Sequence, residues 1–283
     1  GASAVMLDVQ TGEVLAMVNV PDFNPNNRTD RTGERFRNRS VTDVFEPGST
    51  VKPFTLSMAL ASGRFSLETP VSTSPGIHYV GRHPIRDVHD YGELTLSRVL
   101  IKSSNVGTAK IAMELAPEEL HGVLAKVGFG QTTGIELPGE QGGRLLKRDR
   151  WRPIEHATLS FGYGLSSTPV QLARAYSVLA SGGILRPVTL KHQSGPVNGQ
   201  RVLPEHITRQ INVLLEKVVS AEGTARRAAI PAYRVAGKTG TVHKISPEGG
   251  YEESRYQALF VGFAPASAPR FVLAVMVDEP QGR

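Results

Sequence analysis

Strand-forming runs at both ends of the chain, with helical patterns between them, constrain the fold most. Residues 3–19 are typical of a β-hairpin, because two apolar runs flank turn-forming residues at 10–13. Three more strand-like runs, separated by turn residues, lie near the other end: 233–242, 257–264 and 271–277. Strands bury their apolar faces by pairing in one layer, so we predict a single sheet formed by 1–20 and 233–278.

The middle of the chain has helical periodicity and helix-boundary residues. Five stretches have this character: 49–62, 96–116, 117–127, 169–179 and 207–220. A polar break at 102–105 interrupts the second of them. Residues 21–44 are polar and irregular, and their basic run is interpreted as a solvated loop because acidic residues interrupt it. The prediction is an α/β protein of the α+β type, with 1–283 as a single domain and a helical subdomain over roughly 64–160.

Composition and charge exclude several functional classes. Apolar residues make up 40% of the 283 residues, and no apolar run approaches the ~20 residues that a membrane span needs. The absence of cysteine excludes thiol nucleophiles, Cys-based zinc sites and iron–sulfur clusters. The net charge of +6 suits an anionic substrate or surface, but it is too diffuse to indicate nucleic acid. The chain opens at Gly1 without Met or a signal peptide, as expected for an excised or processed piece.

Ser49 and Lys52 form an S-x-x-K pattern at the start of the first predicted helix. Residues three apart on a helix share a face, and a serine hydroxyl becomes a nucleophile when an uncharged amine takes its proton. A helix N-terminus also offers N–H groups and partial positive charge to a developing oxyanion. Pro47 and Gly48 form a corner that places the serine at the helix start. Taken alone, the pattern equally fits an N-capping serine followed by a surface lysine.

Two further motifs follow along the chain. Ser103 and Asn105 form the only S-x-N, in which serine can relay a proton and asparagine can hold an amide, although a polar turn explains it equally well. Residues 238–241 (Lys-Thr-Gly-Thr) lie on a predicted strand, where Lys238 offers positive charge and Gly240 indicates close approach of a ligand or another backbone. An unpaired strand edge here would hydrogen-bond an extended peptide. Chance would produce the three motifs in this order about once in a hundred such sequences.

The ordered trio is typical of serine β-lactamases and penicillin-binding proteins. The chain most resembles the transpeptidase domain of class B penicillin-binding proteins, and within that class the division-specific, septal type. The resemblance covers essentially the whole chain, because five further segments are similar to the family's: 24–27, 37–39, 43–48, 161–165 and 262–266. It implies a five-stranded antiparallel sheet flanked by helices, with a helical subdomain.

The activity that the resemblance implies is that of a peptidoglycan D,D-transpeptidase. Ser49 would attack the D-alanyl-D-alanine bond of a stem peptide and form an acyl-enzyme, from which an amine of a neighbouring stem peptide would take the acyl group. β-Lactam antibiotics would mimic the substrate and remain attached to the same serine. No metal or organic cofactor is implied. The implied location is the periplasmic face of the bacterial inner membrane, with a division-complex glycosyltransferase as a partner and no nucleic acid.

The resemblance also assigns proton-handling roles. Lys52 would act as the base in its neutral form, and burial together with the charge of Lys238 would lower its pKa from the ordinary ~10.4. Ser103 would pass the proton towards the leaving amine. Asn105 would hold both Lys52 and the substrate amide.

On the substrate side, backbone N–H groups of Ser49 and Thr241 would form the oxyanion hole. The groove would be lined by Thr239, Gly240, Thr241 and Tyr163. His243 stands where relatives often carry Lys or Arg, which would make carboxylate binding depend on pH. The resemblance also implies a membrane anchor and a pedestal domain before this region and a C-terminal helix after it, and residues 1–283 are expected to be a piece without these segments.

Alternatives from other classes have weaker support. Residues 237–239 imitate the end of a nucleotide-binding P-loop, but Ala232 stands where the first glycine belongs. Ser167 likewise replaces the third glycine of a dinucleotide fingerprint. A metal site would draw on residues whose spacing matches no standard zinc motif: His78, His83, Asp87, His89 and Asp90.

A closer alternative is a serine β-lactamase or a β-lactam sensor, since both share the trio. A β-lactamase needs a base that activates water for deacylation. The sequence shows no convincing carboxylate for that task, so slow deacylation is expected.

Overall fold

A computed structural model describes residues 1–24, 26, 33–246 and 250–281. Its strands are β1 (Ala2–Asp8), β2 (Val14–Val20), β3 (Pro70–Ser72), β4 (Ile77–Val80), β5 (His83–Arg86), β6 (Glu93–Thr95), β7 (Ile184–Leu185), β8 (Gln200–Arg201), β9 (Ala236–Ile245), β10 (Tyr251–Ala264) and β11 (Phe271–Asp278). Its α-helices are α1 (Arg39–Thr42), α2 (Lys52–Ala61), α3 (Leu96–Lys102), α4 (Asn105–Met113), α5 (Pro117–Lys126), α6 (Pro153–Leu159), α7 (Pro169–Ala180) and α8 (Glu205–Val219). Short 3-10 helices cover Glu34–Phe36, Gly48–Val51, Arg148–Arg150 and Arg226–Ala228.

Five strands from the two chain ends form one antiparallel sheet in the order β2-β1-β11-β10-β9. The first strand pairs with the last, with Val5 opposite Ala274, and Ala274 in turn faces Val261 of β10. Val261 is opposite Lys238 of β9, which leaves β9 at the edge of the sheet. The five-stranded antiparallel sheet that the family resemblance implied is therefore confirmed.

The buried face of the sheet follows the alternation of side chains along each strand. In β1, Val5 and Leu7 are fully buried while their neighbours are half-exposed. Helix α7 packs against β1, β10 and β11, and α8 packs against β9. A single apolar cluster continues from Val5 in the sheet through Phe54 of α2 to Leu120 of α5. Helices α7 and α8 thus cover the sheet, whereas α3 to α6 lie within the segment 64–160, which we propose as the helical subdomain.

Several elements differ from the sequence-based expectation in their bounds. Strand β9 begins at Ala236 rather than at 233, because Ala232 adopts a left-handed φ of 67° and Tyr233 closes a turn onto Ile230. Strand β10 begins six residues earlier than predicted, at Tyr251. Of the basic run in the loop, residues 28 and 31 lie outside the described part of the chain.

Short elements were the ones that the sequence did not reveal. Three two-stranded ladders, β3–β6, β4–β5 and β7–β8, consist of strands of two to four residues, which are too short to show alternation. Helix α6 has only seven residues and also escaped prediction. No helix among the described residues is both long and apolar enough to cross a membrane.

Candidate active site

Ser49 lies in the 3-10 helix Gly48–Val51, directly before α2, rather than within the α-helix predicted over 49–62. Side chains three apart are eclipsed in 3-10 geometry, so Ser49 and Lys52 still lie on the same side. The turn is held firmly, because Thr50 Oγ1 donates to Pro47 O at 2.7 Å and Tyr176 OH of α7 donates to Thr50 O at 2.8 Å. Ser49 is half-buried, whereas Thr50 and Val51 are fully buried. The nucleophile candidate is therefore presented on a rigid support.

Glycines let three backbone segments meet around this turn. Gly48 N donates to Gly162 O at 3.0 Å, and a Cβ on Gly162 would lie 2.0 Å from Gly48 O. A Cβ on Gly240 of β9 would lie 3.1 Å from Pro47 O. The expectation that Gly240 marks a close approach of another backbone is confirmed.

Lys52 is fully buried and reaches the loop between α3 and α4. Its Nζ donates to the Ser103 carbonyl oxygen at 2.5 Å, to Asn105 Oδ1 at 2.8 Å and to Ser103 Oγ at 3.2 Å. Burial lowers the pKa of Lys52 well below its ordinary value, and the charge of Lys238 lowers that pKa further. This is the direction expected for a lysine that acts as a base.

Lys238 of β9 is also fully buried and approaches the same hydroxyl from the other side. Its Nζ donates to Ser103 Oγ at 2.9 Å and to the Thr239 carbonyl oxygen at 3.1 Å. Burial lowers the pKa of Lys238 to about 7. With both lysine amines donating to its oxygen, the Ser103 hydroxyl is left to donate its own proton elsewhere. The structure thus brings the S-x-x-K, S-x-N and K-T-G motifs into one cluster.

The Ser103 turn has an unusual backbone that another residue supports. Ser103 itself has φ 60° and ψ 37°, the left-handed conformation, which turns its carbonyl oxygen towards Lys52. Asp87, which follows β5, accepts hydrogen bonds from Ser104 Oγ at 2.5 Å and from the backbone N–H of Asn105 at 2.5 Å. Sequence reasoning considered Asp87 only as a metal ligand and missed this role.

A second residue that sequence reasoning missed is Glu46. Its side chain is buried three residues before Ser49 and accepts from Gly164 N at 2.7 Å and from Tyr251 OH at 3.0 Å. Burial raises the pKa of Glu46. Tyr163 packs edge-to-face on Tyr251, with ring centroids 5.5 Å apart. The carboxylate therefore joins the 161–165 loop to the β9–β10 hairpin.

The remaining predicted substrate residues lie along the edge strand β9. Thr239 is half-buried, with its hydroxyl 3.3 Å from that of Thr224, and Thr241 is exposed. His243 is exposed, and its Nδ1 lies 3.1 Å from the Glu252 carbonyl oxygen. The edge position of β9 agrees with the predicted unpaired strand edge. The roles of these residues in substrate binding stay predictions.

The alternative interpretations find no geometric support. Residues 237–239 lie inside β9, and no glycine-rich loop leads from them into a helix N-terminus as a phosphate cradle requires. Within the described residues, no group of three or more His, Asp or Glu side chains could hold a metal ion.

Comparison with known proteins decides the family. The model of the penicillin-binding protein transpeptidase domain matches residues 2–283. The chain belongs to this family. Membership agrees with the resemblance inferred from the trio, and it extends over the sheet, the helices and the cluster around Ser103 alike.

Individual relatives in this family are similar over nearly the whole chain. The chain is 47% identical over 279 residues to the peptidoglycan D,D-transpeptidase FtsI of Escherichia coli, covering 99% of this chain and 47% of that protein. It is 43% identical over 278 residues to the probable peptidoglycan D,D-transpeptidase PbpC of Pseudomonas aeruginosa, covering 98% and 49% respectively. The chain thus spans about half the length of these curated relatives.

A solved structure of the family has the same fold. The apo structure of the TP domain from Burkholderia pseudomallei penicillin-binding protein 3 superposes with a TM-score of 0.89 at 45% sequence identity. It covers 99% of this chain and 80% of that one. The penicillin-binding protein transpeptidase fold therefore accounts for the architecture from the first strand to the last.

Proposed function

We propose that this domain is a peptidoglycan D,D-transpeptidase that crosslinks stem peptides through an acyl-enzyme on Ser49 and is acylated at the same residue by β-lactams. The observation that carries the proposal is the convergence of two buried lysines on the Ser103 hydroxyl, beside the turn that presents Ser49. The named activity of the relatives at 47% and 43% identity supports the same reaction.

The proposed chemistry begins with neutral Lys52 accepting the proton of the Ser49 hydroxyl. The Ser49 oxygen bonds to the carbonyl carbon between the two terminal D-alanines, and collapse of the oxyanion breaks the peptide C–N bond. The proton reaches the departing amine through Ser103, whose oxygen contacts both lysine nitrogens. The amine of a second stem peptide then attacks the ester carbon, its proton returns to the Ser49 oxygen by way of Lys52, and the ester C–O bond breaks, so that a new peptide bond replaces the one that was broken.

The proposed groove for the donor peptide runs along β9. An extended peptide would add to this sheet edge by main-chain hydrogen bonds beside Thr239, Gly240 and Thr241, with the oxyanion bound by the N–H groups of Ser49 and Thr241. Lys238 would supply positive charge for the terminal carboxylate. Tyr163, which packs against Tyr251 at the start of β10, would contact the peptide.

The setting is proposed on the family resemblance. We infer that the domain works in septal cell-wall synthesis on the periplasmic side of the inner membrane, next to a glycosyltransferase that polymerises the glycan. A copurification of the full-length protein with such an enzyme would test the partner separately from the chemistry.

Labelling with a fluorescent penicillin tests the nucleophile. The wild-type domain should carry one covalent label, and peptide mapping by mass spectrometry should place it on Ser49. Ser49→Ala should abolish the label, while Ser66→Ala, at an exposed serine, should label like the wild type. Label that persists on the Ser49→Ala protein would refute the assignment.

A hydrolytic β-lactamase is the second candidate, because the buried carboxylate of Glu46 lies three residues before Ser49 in the chain. Both oxygens of Glu46 accept hydrogen bonds, from Gly164 N and from Tyr251 OH, so we infer that this carboxylate joins the 161–165 loop to β10 rather than activating water. We expect the acyl-enzyme to be long-lived and Glu46→Gln to leave its rate of label loss unchanged. Rapid loss in the wild type that Glu46→Gln slows would favour the hydrolase.

A further inference from the structure

The S-x-N turn, residues 103–105, is held in place by Arg86, at the end of β5, and by Asp87, which follows it. Asp87 lies 16 residues before Ser103 and is itself anchored, because its N–H donates to the Gly76 carbonyl oxygen at 2.9 Å. The carbonyl of the preceding Arg86 accepts from Asn105 Nδ2 at 3.1 Å. Both the main chain and the side chain of Asn105 are therefore held by two consecutive residues of this hairpin.

The carboxylate of Asp87 caps the N-terminus of α4. Its Oδ1 accepts from the N–H groups of Asn105 at 2.5 Å and Val106 at 3.0 Å, and its Oδ2 accepts from Ser104 Oγ at 2.5 Å. Ser104 Oγ in turn accepts from Gly107 N at 2.8 Å. A local N-cap side chain satisfies only one of the first backbone donors of a helix, and here the distant Asp87 carboxylate satisfies two more.

The negative charge of Asp87 also acts on the buried Lys52 amine. Asn105 links Asp87 to Lys52 directly. The backbone N–H of Asn105 donates to the Asp87 carboxylate, while its Oδ1 accepts from Lys52 Nζ. The Asp87 charge acts on two titratable groups, Lys52 from α2 and Tyr91 from the loop after Asp87. Lys238 from β9 acts on Lys52 with the opposite sign, so Asp87 is the acidic group and Lys238 the basic group that influence the Lys52 amine.

We propose that Asp87 is a positioning residue, which fixes the Ser103–Asn105 turn against Lys52 and supplies the negative charge that acts on the buried Lys52 amine. The proposal rests on the transpeptidase chemistry proposed above for Ser49 and Lys52. Two separable effects follow. Loss of the cap loosens the turn and slows acylation at every pH, whereas loss of the charge alone changes the pH at which Lys52 becomes neutral.

The direction of the second effect follows from the electrostatics. The Asp87 carboxylate raises the pKa of Lys52 against the lowering caused by burial and by Lys238. Without that charge Lys52 loses its proton at a lower pH. The acid limb of the acylation rate, which follows the neutral fraction of Lys52, then moves to lower pH.

Two substitutions separate the cap from the charge. Asp87→Asn keeps an oxygen that can accept from Asn105 and Val106, and Ser104 Oγ can accept from its new amide, so the turn should persist. We expect the acid limb of acylation by fluorescent penicillin to lie at lower pH in Asp87→Asn than in the wild type.

Asp87→Ala removes the cap and the charge together, and its acylation rate should fall about tenfold or more at every pH of the profile. Asp90→Asn is the matched control, since the Asp90 carboxylate accepts hydrogen bonds from Ser74 and Gly92 and, among the described residues, from no part of the S-x-N turn, so its profile should match the wild type.

Hydrogen exchange supplies a readout that does not depend on penicillin. The backbone amides of residues 105–107 should exchange faster in Asp87→Ala than in Asp87→Asn or the wild type. A rate loss in Asp87→Asn without any shift of the acid limb relative to Asp90→Asn would overturn the electrostatic role. Unchanged acylation and exchange in Asp87→Ala would overturn the positioning role.

If the domain is not a transpeptidase, the same experiments would give a different set of results. A wild-type domain that takes no label would contradict the transpeptidase assignment, while faster exchange at 105–107 in Asp87→Ala would still support the cap. If Asp87→Ala does not fold, Asp87→Asn alone decides the electrostatic role.

Discussion

A lysine buried without a carboxylate partner tends to lose its proton, and Lys238 is in that position. Its Nζ contacts only the Ser103 hydroxyl and the Thr239 carbonyl among the described residues, and burial lowers its pKa to about 7. Its proposed task, however, requires a positive charge beside the carboxylate of the substrate. The residue is therefore poised to lose its function just above neutral pH unless an anion is bound.

We predict that acylation falls as pH rises through about 7, because Lys238 is charged below its pKa and neutral above it. Lys238→Arg should remove this alkaline fall, since a guanidinium stays protonated throughout the range, even if the maximal rate is lower. The measurement is the penicillin acylation rate against pH, normalised to each variant's maximum. Lys244→Arg, on the same strand but paired with Asp278, is the control and should keep the wild-type fall. An identical fall in Lys238→Arg would show that another group titrates.

Among the elements, strand β9 packs at Gly240 against the nucleophile turn, residues 47–50, which carries Ser49. This contact leaves no room for a side chain at position 240. A Cβ at position 240 would lie 3.1 Å from Pro47 O and 3.2 Å from Thr50 Cγ2, both of which are firmly held. The strand and the turn must therefore shift apart by a few tenths of an ångström to accept even a methyl group.

We predict that Gly240→Ala slows acylation about tenfold or more while costing roughly 1 kcal/mol of stability, because small misplacements of reacting groups are expensive in rate. Stopped-flow acylation and urea denaturation measure the two effects. Gly122→Ala in α5 is the matched control, because a Cβ there meets nothing within 4 Å and alanine favours the helix. Equal acylation by Gly240→Ala and Gly122→Ala would mean that the contact does not set the geometry.

The elements also show what sequence can and cannot predict. The strands at both ends and the long helices were predictable because they span enough residues to carry a readable period, seven in the strand β1 and twelve in the helix α7. The trio was predictable because each motif is contiguous. Asp87 and Glu46 were not, because their hydrogen-bond partners lie 17–19 and 118–205 residues away, and only the folded chain brings them together.

On the scale of the whole molecule, the site joins three segments that the fold collects from distant parts of the chain. The nucleophile turn precedes α2, the S-x-N turn joins α3 to α4, and the K-T-G segment is the edge of a sheet that both termini complete. Two lysines are fully buried where these segments meet. Burying ammonium groups costs free energy, so this arrangement favours catalysis at the expense of stability.

The free-energy cost of burying these charges should be visible when Lys238 is removed: the free energy of unfolding should rise by an amount that depends on pH. Between a folded pKa of about 7 and the ordinary value near 10.4, the unfolded chain binds more protons at Lys238 than the folded one. The wild-type domain therefore gains stability as pH rises through that window, and the full penalty is present below it. We predict that Lys238→Met raises the free energy of unfolding by roughly 1–3 kcal/mol below pH 7 while abolishing acylation.

Urea denaturation at several pH values would measure this gain, which should shrink towards the pH at which a free lysine is neutral. Lys191→Met removes an exposed lysine paired with Glu136 and should show no such pH dependence. A Lys238→Met protein that is less stable than the wild type at low pH would mean that the contacts of Nζ with Ser103 and Thr239 outweigh the burial of its charge. In that case the site would stabilise the fold, and the trade between activity and stability would have to lie elsewhere in the molecule.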